Sequence, residues 1–504
     1  MREQRRTGHA WRYLAGLILL ASLTLVVLYR DRLLPPVTHD FDADGTTLVV
    51  LPLRAEGSQQ DDILAQGFGG ELADRLATIK NLRVIGEISA QRAASEHFDD
   101  KQLRQRLGAT HSLAGALRIQ ATRVFVELRL TDLATGQILH THTFDRAIDE
   151  MPLLGQDIAL DVAQSLHLLL PDTSEAVRVA PGAYRAYSAA WRLIEERQRM
   201  PAIEALRSLV ASAPQFARAH AVLALEMVGD PRPEQLTPEA FEEATRAARR
   251  AIDIDPRLAK AHISLAILAC RTADWSRCMQ SFQRGLELNP NDASGRMAYA
   301  YWLGALGYIE RGLREAELAW RVDPLSAATN FTRGRLLDTS GRHAEAARYL
   351  EAATPPSAGL VYARWHNAVW RDDPDAAAKL ALTIPESDGF REAYLVVSEA
   401  LIEPRLWPGA LPLIRTSERA TGNMDVLRLL MPDPDYAVVV AGLERMLSNG
   451  WPSYYLLLWM PEYAKLRRDP SFQEFLKRTQ IIDYWRTAGW PPQCHEEGAG
   501  AMCK

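Results

Sequence analysis

The pattern of apolar and polar residues changes twice along the chain and divides it into three regions. A charge-free apolar run covers residues 13–29. Over residues 46–171, short runs rich in β-branched residues alternate with segments of helical spacing, and helical spacing alone continues from residue 183 to residue 490. These patterns predict a membrane-spanning helix, an α/β domain with the order β-α-β-α-β-β-β-α, and an all-α region.

Three prolines mark a repeat in the all-α region. Pro256, Pro290 and Pro324 are spaced by 34 residues (290 − 256 and 324 − 290), and each follows a predicted helix that it prevents from continuing. Small residues recur in register where paired helices must approach closely: Ala266 and Cys278, Ala300 and Gly312, Gly334 and Ala346. This is the period of tetratricopeptide (TPR) repeats. We therefore predict TPR repeats over residues 183–356 and degenerate TPR-like helical repeats over residues 357–490.

The charge-free run is predicted to anchor the protein in a membrane. Residues 1–12 carry several arginines, which places this tail in the cytoplasm, and residues 30–45 form a linker. A cleaved signal peptide is the main alternative, but no small-x-small cleavage site follows the run. We expect a bacterial inner-membrane protein with one transmembrane helix at residues 13–29 and its bulk in the periplasm.

The α/β region resembles a known module. The residues that carry the resemblance are Val50-Leu51-Pro52-Leu53, Leu82-Arg83-Val84-Ile85-Gly86, Leu107-Gly108-Ala109 and Leu128-Arg129-Leu130-Thr131-Asp132. They look like the TolB-like N-terminal domain of bacterial membrane-bound TPR proteins related to CadC-type regulators. The segment Trp459-Met460-Pro461-Glu462-Tyr463 resembles the C-terminal part of the same family. The expected fold class is an α/β TolB-like domain at residues 46–171, followed by an all-α TPR solenoid, with one N-terminal transmembrane helix.

Family members often carry a winged helix or a nucleotide cyclase domain ahead of the anchor. Here residues 1–12 precede the apolar run, so we expect a relative that lacks the winged-helix domain and has no transcriptional or cyclase output of its own. The chain contains neither an HExxH nor a GxSxG motif, and no Cys/His arrangement with a recognisable base. We predict that the protein is not an enzyme and binds no cofactor.

Charge and histidine placement limit the remaining kinds of site. A net charge of −5 gives no basic field of the kind that nucleic-acid binding requires, so we expect no direct binding to nucleic acid. His140 and His142 alternate on one face of a predicted strand and could share a metal ion, but no third ligand is visible. Exposed strand histidines are commoner than metal ligands, and we predict no metal site.

Four cysteines follow the predicted anchor, an even number that suits disulfides in an oxidising compartment. Cys494 and Cys503 flank a Gly-Ala-Gly segment in the tail at residues 491–504, where a loop-closing bond forms easily. Cys270 and Cys278 fall on the two helices of one repeat, near the turn that joins them. Small buried thiols are an equal alternative for this second pair. Both pairs are disulfide candidates.

The candidate binding surface is the groove on the concave side of the solenoid. Mostly apolar and aromatic residues of the first helix of each repeat are expected to line it: Tyr187 and Trp191, Ile263 and Ile267, Met297 and Tyr301, Phe331 and Arg335. Such a stripe suits an extended or helical peptide. Alternatively, the C-terminal helices or the TolB-like domain fold into the groove and bury it.

These features predict a non-enzymatic, membrane-anchored periplasmic TPR protein that binds a protein or peptide partner through its concave face, as a scaffold or adaptor. The alternative is a sensory or signalling component, related to CadC-like transcriptional regulators, that acts through a separate output protein.

A topology measurement tests the anchor. If residues 13–29 span the inner membrane, a reporter active only in the periplasm should be active when fused after Lys504, because the chain beyond the anchor has been translocated. A reporter active only in the cytoplasm should be silent in the same position. The reverse pattern would place all four cysteines in a reducing compartment and contradict both the anchor and the disulfides.

Overall fold

The computed structural model describes residues 45–57, 59–168, 179–229, 237–354, 358–387, 390–421, 429–430, 434–448 and 452–504. The predicted transmembrane helix lies outside these ranges, so the membrane topology stays a prediction. Within them, no helix combines the length and the apolar character that crossing a bilayer requires. All of the described residues fall in one structural unit.

The first part of this unit is a mixed six-stranded sheet. Its strands are β1 (Thr46–Val50), β2 (Arg54–Ala55), β3 (Leu82–Val84), β4 (His111–Gln120), β5 (Arg123–Asp132) and β6 (Ile138–Ala147). They lie in the order β3-β1-β4-β5-β6, with the short β2 beside β4. β1 is parallel to both β3 and β4, whereas β4, β5 and β6 form an antiparallel meander. The two edges of the sheet are therefore β3 and β6.

Helices cover both faces of the sheet and make three layers. They are α1 (Gln59–Leu76), α2 (Glu87–Ser95), α3 (Asp100–Leu107) and α4 (Met151–Ser165). On β5, alternate residues from Val124 to Leu130 are buried with α1 and α4, as the two-residue period of a strand requires. On the other face, Val49 and Ile85 are buried with α2 and α3.

Helical hairpins form the second part of the unit. They are α5 (Pro181–Glu195) with α6 (Arg199–Ser212), α7 (Ala217–Val228) with α8 (Pro238–Ile254), α9 (Ala259–Arg271) with α10 (Trp275–Leu288), α11 (Ala293–Ala305) with α12 (Ile309–Val322), and α13 (Ala327–Thr339) with α14 (His343–Ala352). The first helices of the last three hairpins begin 34 residues apart, at Ala259, Ala293 and Ala327. A Cβ on Gly312 would lie 2.8 Å from the Ala300 carbonyl oxygen, so the paired helices do approach closely. The predicted TPR solenoid is confirmed.

The helical pairs continue without the 34-residue spacing, as α15 (Ala358–Trp370) with α16 (Pro374–Leu382) and α17 (Arg391–Ile402) with α18 (Trp407–Thr421). A C-terminal segment follows, with α19 (Tyr436–Ser448), a 3₁₀ helix (Pro452–Trp459), α20 (Ala464–Arg467), α21 (Pro470–Arg478), α22 (Ile481–Ala488), β7 (Cys494–Glu497) and β8 (Gly500–Cys503). Residues 491–504 thus end in a paired hairpin, in which Cys494 is opposite Cys503.

The α/β layers pack along one edge of the solenoid, formed by the loops between successive repeats. Asn291, in the loop after α10, donates from its amide to the carbonyl oxygens of Ala77 (2.8 Å) and Leu82 (2.9 Å). One repeat later, the Asp323 carboxylate accepts from the backbone N–H of Ser89 at 2.9 Å. Because Leu82 belongs to β3, the solenoid covers this edge of the sheet, which would otherwise be open to pairing with another chain.

The C-terminal segment packs along the opposite edge, at the turns inside the repeats. The indole N–H groups of Trp459 and Trp485 donate to the carbonyl oxygens of Ala305 (2.9 Å) and Leu306 (3.0 Å) at the end of α11. Both indoles are buried. The middle of the solenoid is therefore held on both of its edges by segments of the same chain.

Replacing Asn291 with Ala tests the first of these edges. We expect the free energy of unfolding to fall by about 2–3 kcal/mol, because two buried carbonyl groups would lose their donor. Urea denaturation measures the change. The control is Gln105→Ala, at an exposed position of α3, where a change within about 0.5 kcal/mol is expected. Equal stability of the two variants would contradict the contact.

Candidate functional site

The groove predicted from the sequence is lined by matching positions of the first helices of the repeats. In α9, α11, α13 and α15 these are the fifth and ninth residues: Ile263 and Ile267, Met297 and Tyr301, Phe331 and Arg335, Tyr362 and His366. Tyr187 and Trp191 of α5 precede them in the same stripe. The structure divides this stripe into a filled proximal half and a partly open distal half.

The proximal half is filled by the α/β layers. Tyr187 and Trp191 are only 3% and 7% exposed. Gly70 of α1 lies so close to Trp191 that a Cβ on it would be 2.6 Å from the indole nitrogen. The Trp191 N–H donates to the Glu87 carboxylate at 3.3 Å, and the Lys260 ammonium lies 4.5 Å from the centre of the indole ring. The predicted open groove is wrong at these two aromatic residues, because α1 occupies it.

A buried carboxylate fixes α1 in this half of the groove. Glu71 of α1 is 2% exposed and lies 3.1 Å from the Arg75 guanidinium and 2.9 Å from that of Arg218 in α7. It also accepts a hydrogen bond from the Tyr184 hydroxyl at 2.6 Å. Burial alone would raise the pKa of Glu71, but Arg218 and Arg75 together hold it below its ordinary value. The carboxylate therefore stays charged and links α1 to two solenoid helices.

Ile263 and Ile267 are also closed off from solvent, at 1% and 8% exposure. A Cβ on Gly285 of α10 or on Gly295 of α11 would lie within 3.0 Å of the Ile263 Cδ1 atom. Ile263 therefore fills the space between its own hairpin and the next one. The prediction that both isoleucines line an open groove is wrong, since they are part of the packing between helices.

The distal half remains partly open. Met297, Tyr301, Phe331 and Tyr362 are each partly exposed, and we call these four residues the distal patch. Tyr362 was missed by the sequence analysis because α15 begins 31 residues after α13 (358 − 327), which breaks the 34-residue register. The patch thus combines three predicted residues with one that only the structure places.

Two buried basic side chains lie beneath the distal patch. Arg335 and His366 are 8% and 7% exposed, so Arg335 is not the surface residue that the sequence predicted. Each lies against Trp370, with 5.4 Å from the Arg335 guanidinium carbon to the indole centre and 5.4 Å between the centres of the His366 and Trp370 rings. Burial and the nearby Arg335 charge lower the pKa of His366 to about 3. His366 is therefore neutral at physiological pH.

A polar network borders these two side chains. Asp338 is fully buried and accepts from Asn367 at 2.6 Å, and its carboxylate lies 3.0 Å from the His343 ring. The other nitrogen of His343 lies 2.8 Å from the Glu462 carboxylate. Burial opposes the charge on this imidazole, but hydrogen bonds to the two carboxylates outweigh it and raise the pKa of His343 to about 9. The protonated ring links the solenoid to the C-terminal segment.

Four buried polar atoms at this site have no hydrogen-bond partner within the described parts of the chain: Tyr301 Oη, Arg335 Nη1, Asp338 Oδ2 and His366 Nε2. Arg335 Nη1 and Asp338 Oδ2 are 3.9 Å apart, which is too long for a direct hydrogen bond. His366 donates from Nδ1 to the Tyr362 carbonyl oxygen at 2.8 Å, so its neutral Nε2 is an acceptor. One donor, two acceptors and one hydroxyl group therefore lie at the patch without a hydrogen-bond partner among the described residues, which is where a buried water or a polar group of a ligand is expected.

The remaining candidate residues lie elsewhere. Cys270 is bonded to Cys278 across the turn between α9 and α10, and Cys494 to Cys503 across β7 and β8. His140 and His142 lie on β6, at the edge of the sheet away from the solenoid.

Comparison with known proteins gives partial likenesses. No protein-family model matches the chain. It is 25% identical over 232 residues to "Putative adenylate cyclase 3" of Rhizobium meliloti (strain 1021), which covers 44% of this chain and 40% of that protein. The chain therefore spans about two fifths of the length of this curated relative.

Similar solved structures include TPR proteins. PilW, a type IV pilus biogenesis factor, is 14% identical with a TM-score of 0.35 and covers 43% of this chain and 98% of its own. A TPR protein of Parabacteroides merdae is 14% identical with a TM-score of 0.33, over 50% and 94% of the two chains. YrrB, a TPR protein with an unusual peptide-binding site, is 16% identical with a TM-score of 0.24, over 39% and 90%. These scores are low, and the TPR assignment rests on the helical repeat itself.

The division of the groove can be tested by stability. Trp191→Ala should lower the free energy of unfolding by about 3–5 kcal/mol, because it opens a cavity beneath α1. Phe331→Ala, at a partly exposed groove position of a later repeat, should cost clearly less, since less apolar surface leaves a buried site. Thermal unfolding of both variants measures the difference. A small loss for Trp191→Ala would mean that α1 does not occupy the proximal half.

Proposed function

We propose that the protein is a non-enzymatic, membrane-anchored TPR scaffold that binds a protein partner in the periplasm through the distal patch. The observation that supports this most is that partly exposed apolar side chains lie beside buried polar atoms that have no hydrogen-bond partner among the described residues. Among the described residues, the rest of the groove has no second place where exposed apolar side chains lie beside such polar atoms. Its proximal half is closed, because α1 occupies it.

The chemistry of the site fits a peptide segment. A peptide group carries one N–H donor and one carbonyl acceptor, which match the His366 Nε2 acceptor and the Arg335 Nη1 donor. Aromatic and sulfur-containing side chains, such as those of Tyr301, Tyr362 and Met297, supply adaptable apolar contact and are frequent in protein interfaces. A buried guanidinium also favours a carboxylate or a carbonyl oxygen of the partner.

The site is also prepared for binding by its surroundings. The Asp338–His343–Glu462 network ties α13 and α14 to the C-terminal segment. The positions of the first helices are therefore fixed before a partner arrives. A partner then loses less free energy in ordering the surface that it binds.

The predicted anchor and the cysteine pairs support the periplasmic location. The charge-free run at residues 13–29 has the length and flanking arginines of an inner-membrane anchor. Disulfides such as Cys494–Cys503 persist in oxidising compartments. The resemblance to the TolB-like module supports the same arrangement.

A second candidate function is signalling through a separate output protein. It is favoured by the partial match to a relative named as a putative adenylate cyclase, since a module shared with a signalling enzyme can serve as an input domain. Transcript profiling separates the two candidates. A Tyr362→Ala chromosomal variant should change the transcription of a defined set of genes if the protein signals, and leave transcription unchanged if it is a scaffold.

Site-specific photocrosslinking in living cells tests partner binding at the distal patch. A benzophenone amino acid at position 331 or at position 362 should give a covalent adduct with the same discrete protein, because both side chains face the bound segment. The control position is Arg246 on α8, whose side chain is 69% exposed on a second helix of a repeat. It should give no such adduct.

A further variant ties the adduct to the buried polar atoms. Arg335→Met removes the Nη1 donor, which has no hydrogen-bond partner among the described residues, and should weaken the adduct, provided that unfolding measurements show a folded protein. Absence of an adduct at both patch positions, or the same adduct from position 246, would refute binding at the distal patch.

A further inference from the structure

The outer edge of the sheet presents a group of side chains that the groove does not involve. On β6, His140 and His142 are paired with Leu130 and Leu128 of β5, which are buried beneath α4. Alternate residues of a strand share one face, so both imidazoles lie on the side of the sheet that α4 covers. Phe144, two residues further on, is 6% exposed and stacks on the His142 ring at 4.2 Å.

Two acidic residues of α4, one helical turn apart, face this strand. Asp157 forms an ion pair with Arg146 of β6 at 2.8 Å. Among the described residues, Asp161 has no arginine or lysine partner, and it lies between the two histidines. Its carboxylate oxygens are 3.1 Å from His140 Nε2 and 3.1 Å from His142 Nδ1. The third candidate ligand, which the sequence did not reveal, therefore lies on α4.

We propose that His140, His142 and Asp161 bind one divalent transition-metal ion, with zinc as the best match. Two imidazole nitrogens and one carboxylate oxygen form a ligand set that zinc accepts, and hard ions such as magnesium and calcium prefer oxygen alone. The three ligand atoms lie within 4.8 Å of one another. Tetrahedral zinc with bonds of about 2.0–2.1 Å needs ligand atoms about 3.3 Å apart, so the side chains require little movement.

The surroundings suit a site with one open position. The side chains of His140, His142 and Asp161 are 39%, 45% and 21% exposed, so an ion can enter from solvent and keep a water as its fourth ligand. The metal would join β6 to α4 beside the Arg146–Asp157 ion pair. This gives the free edge of the sheet a second, metal-dependent link to the helix that packs on it.

Metal titration of the full chain, without an affinity tag and after chelation, tests the proposal. Calorimetry should show one zinc ion bound per chain, and cobalt should give the visible absorption of a tetrahedral complex. Zinc should also raise the melting temperature, because it binds the folded site. If the untagged chain binds neither ion, the proposal is overturned.

Variants locate the site. The changes His140→Gln, His142→Gln and Asp161→Asn should each weaken zinc binding by more than about tenfold. Two controls should leave zinc binding unchanged: Asp157→Asn, one turn away on the same helix, and His495→Gln in the C-terminal hairpin. Circular dichroism of each variant without metal establishes that it is folded. Zinc binding that survives in all three ligand variants would place the metal elsewhere and overturn the proposal.

Discussion

Side-chain N–H groups paired with buried backbone carbonyl oxygens hold the three parts of this protein together. The Asn291 amide supplies donors to the end of α1 and to β3, and the indoles of Trp459 and Trp485 supply them to the turn after α11. An unpaired buried carbonyl costs more than a typical hydrogen bond gains. These hydrogen bonds therefore fix where the α/β layers and the C-terminal segment pack on the solenoid edges. Their positions in turn determine which parts of the groove are covered.

This arrangement explains why one groove has two different halves. Near α5 the α/β layers lie close enough for α1 to cover Tyr187 and Trp191. The negative charge of the buried Glu71 is balanced there by Arg75 of the α/β layers and Arg218 of the solenoid. Around α13 the C-terminal segment reaches the border of the groove, where Glu462 contacts His343 and the Tyr463 hydroxyl accepts from the Trp370 indole N–H at 3.1 Å. The apolar positions of the later repeats therefore keep part of their surface in contact with solvent. The same stripe of residues is core in one place and surface in the other.

The sequence predicted the repeats well because a proline and small residues at a fixed period report local geometry. It could not predict which groove residues are exposed, because that depends on contacts such as Gly70 with Trp191, which join distant parts of the chain. The sequence prediction omitted Tyr362 for a different reason, which is that its helix begins only 31 residues after the preceding first helix. Helix α2 was missed altogether, since its nine residues carry no strong apolar stripe. Asp161 was not predicted as a candidate ligand because it lies on a helix. The spacing of two histidines on a strand does not indicate which helix residue packs beside them.

The contacts that join the α/β layers and the C-terminal segment to the central repeats also affect how the chain folds. A repeat array usually gains its stability from neighbouring repeats, so that it can unfold one repeat at a time. Here Trp275 donates to a carbonyl 204 residues away at Thr479, and Asn291 to one 214 residues away at Ala77. Contacts of such sequence separation make the central hairpins depend on both ends of the chain at once. We therefore expect folding to be slower than for an isolated array, because long loops must close first, and unfolding to be a single cooperative event.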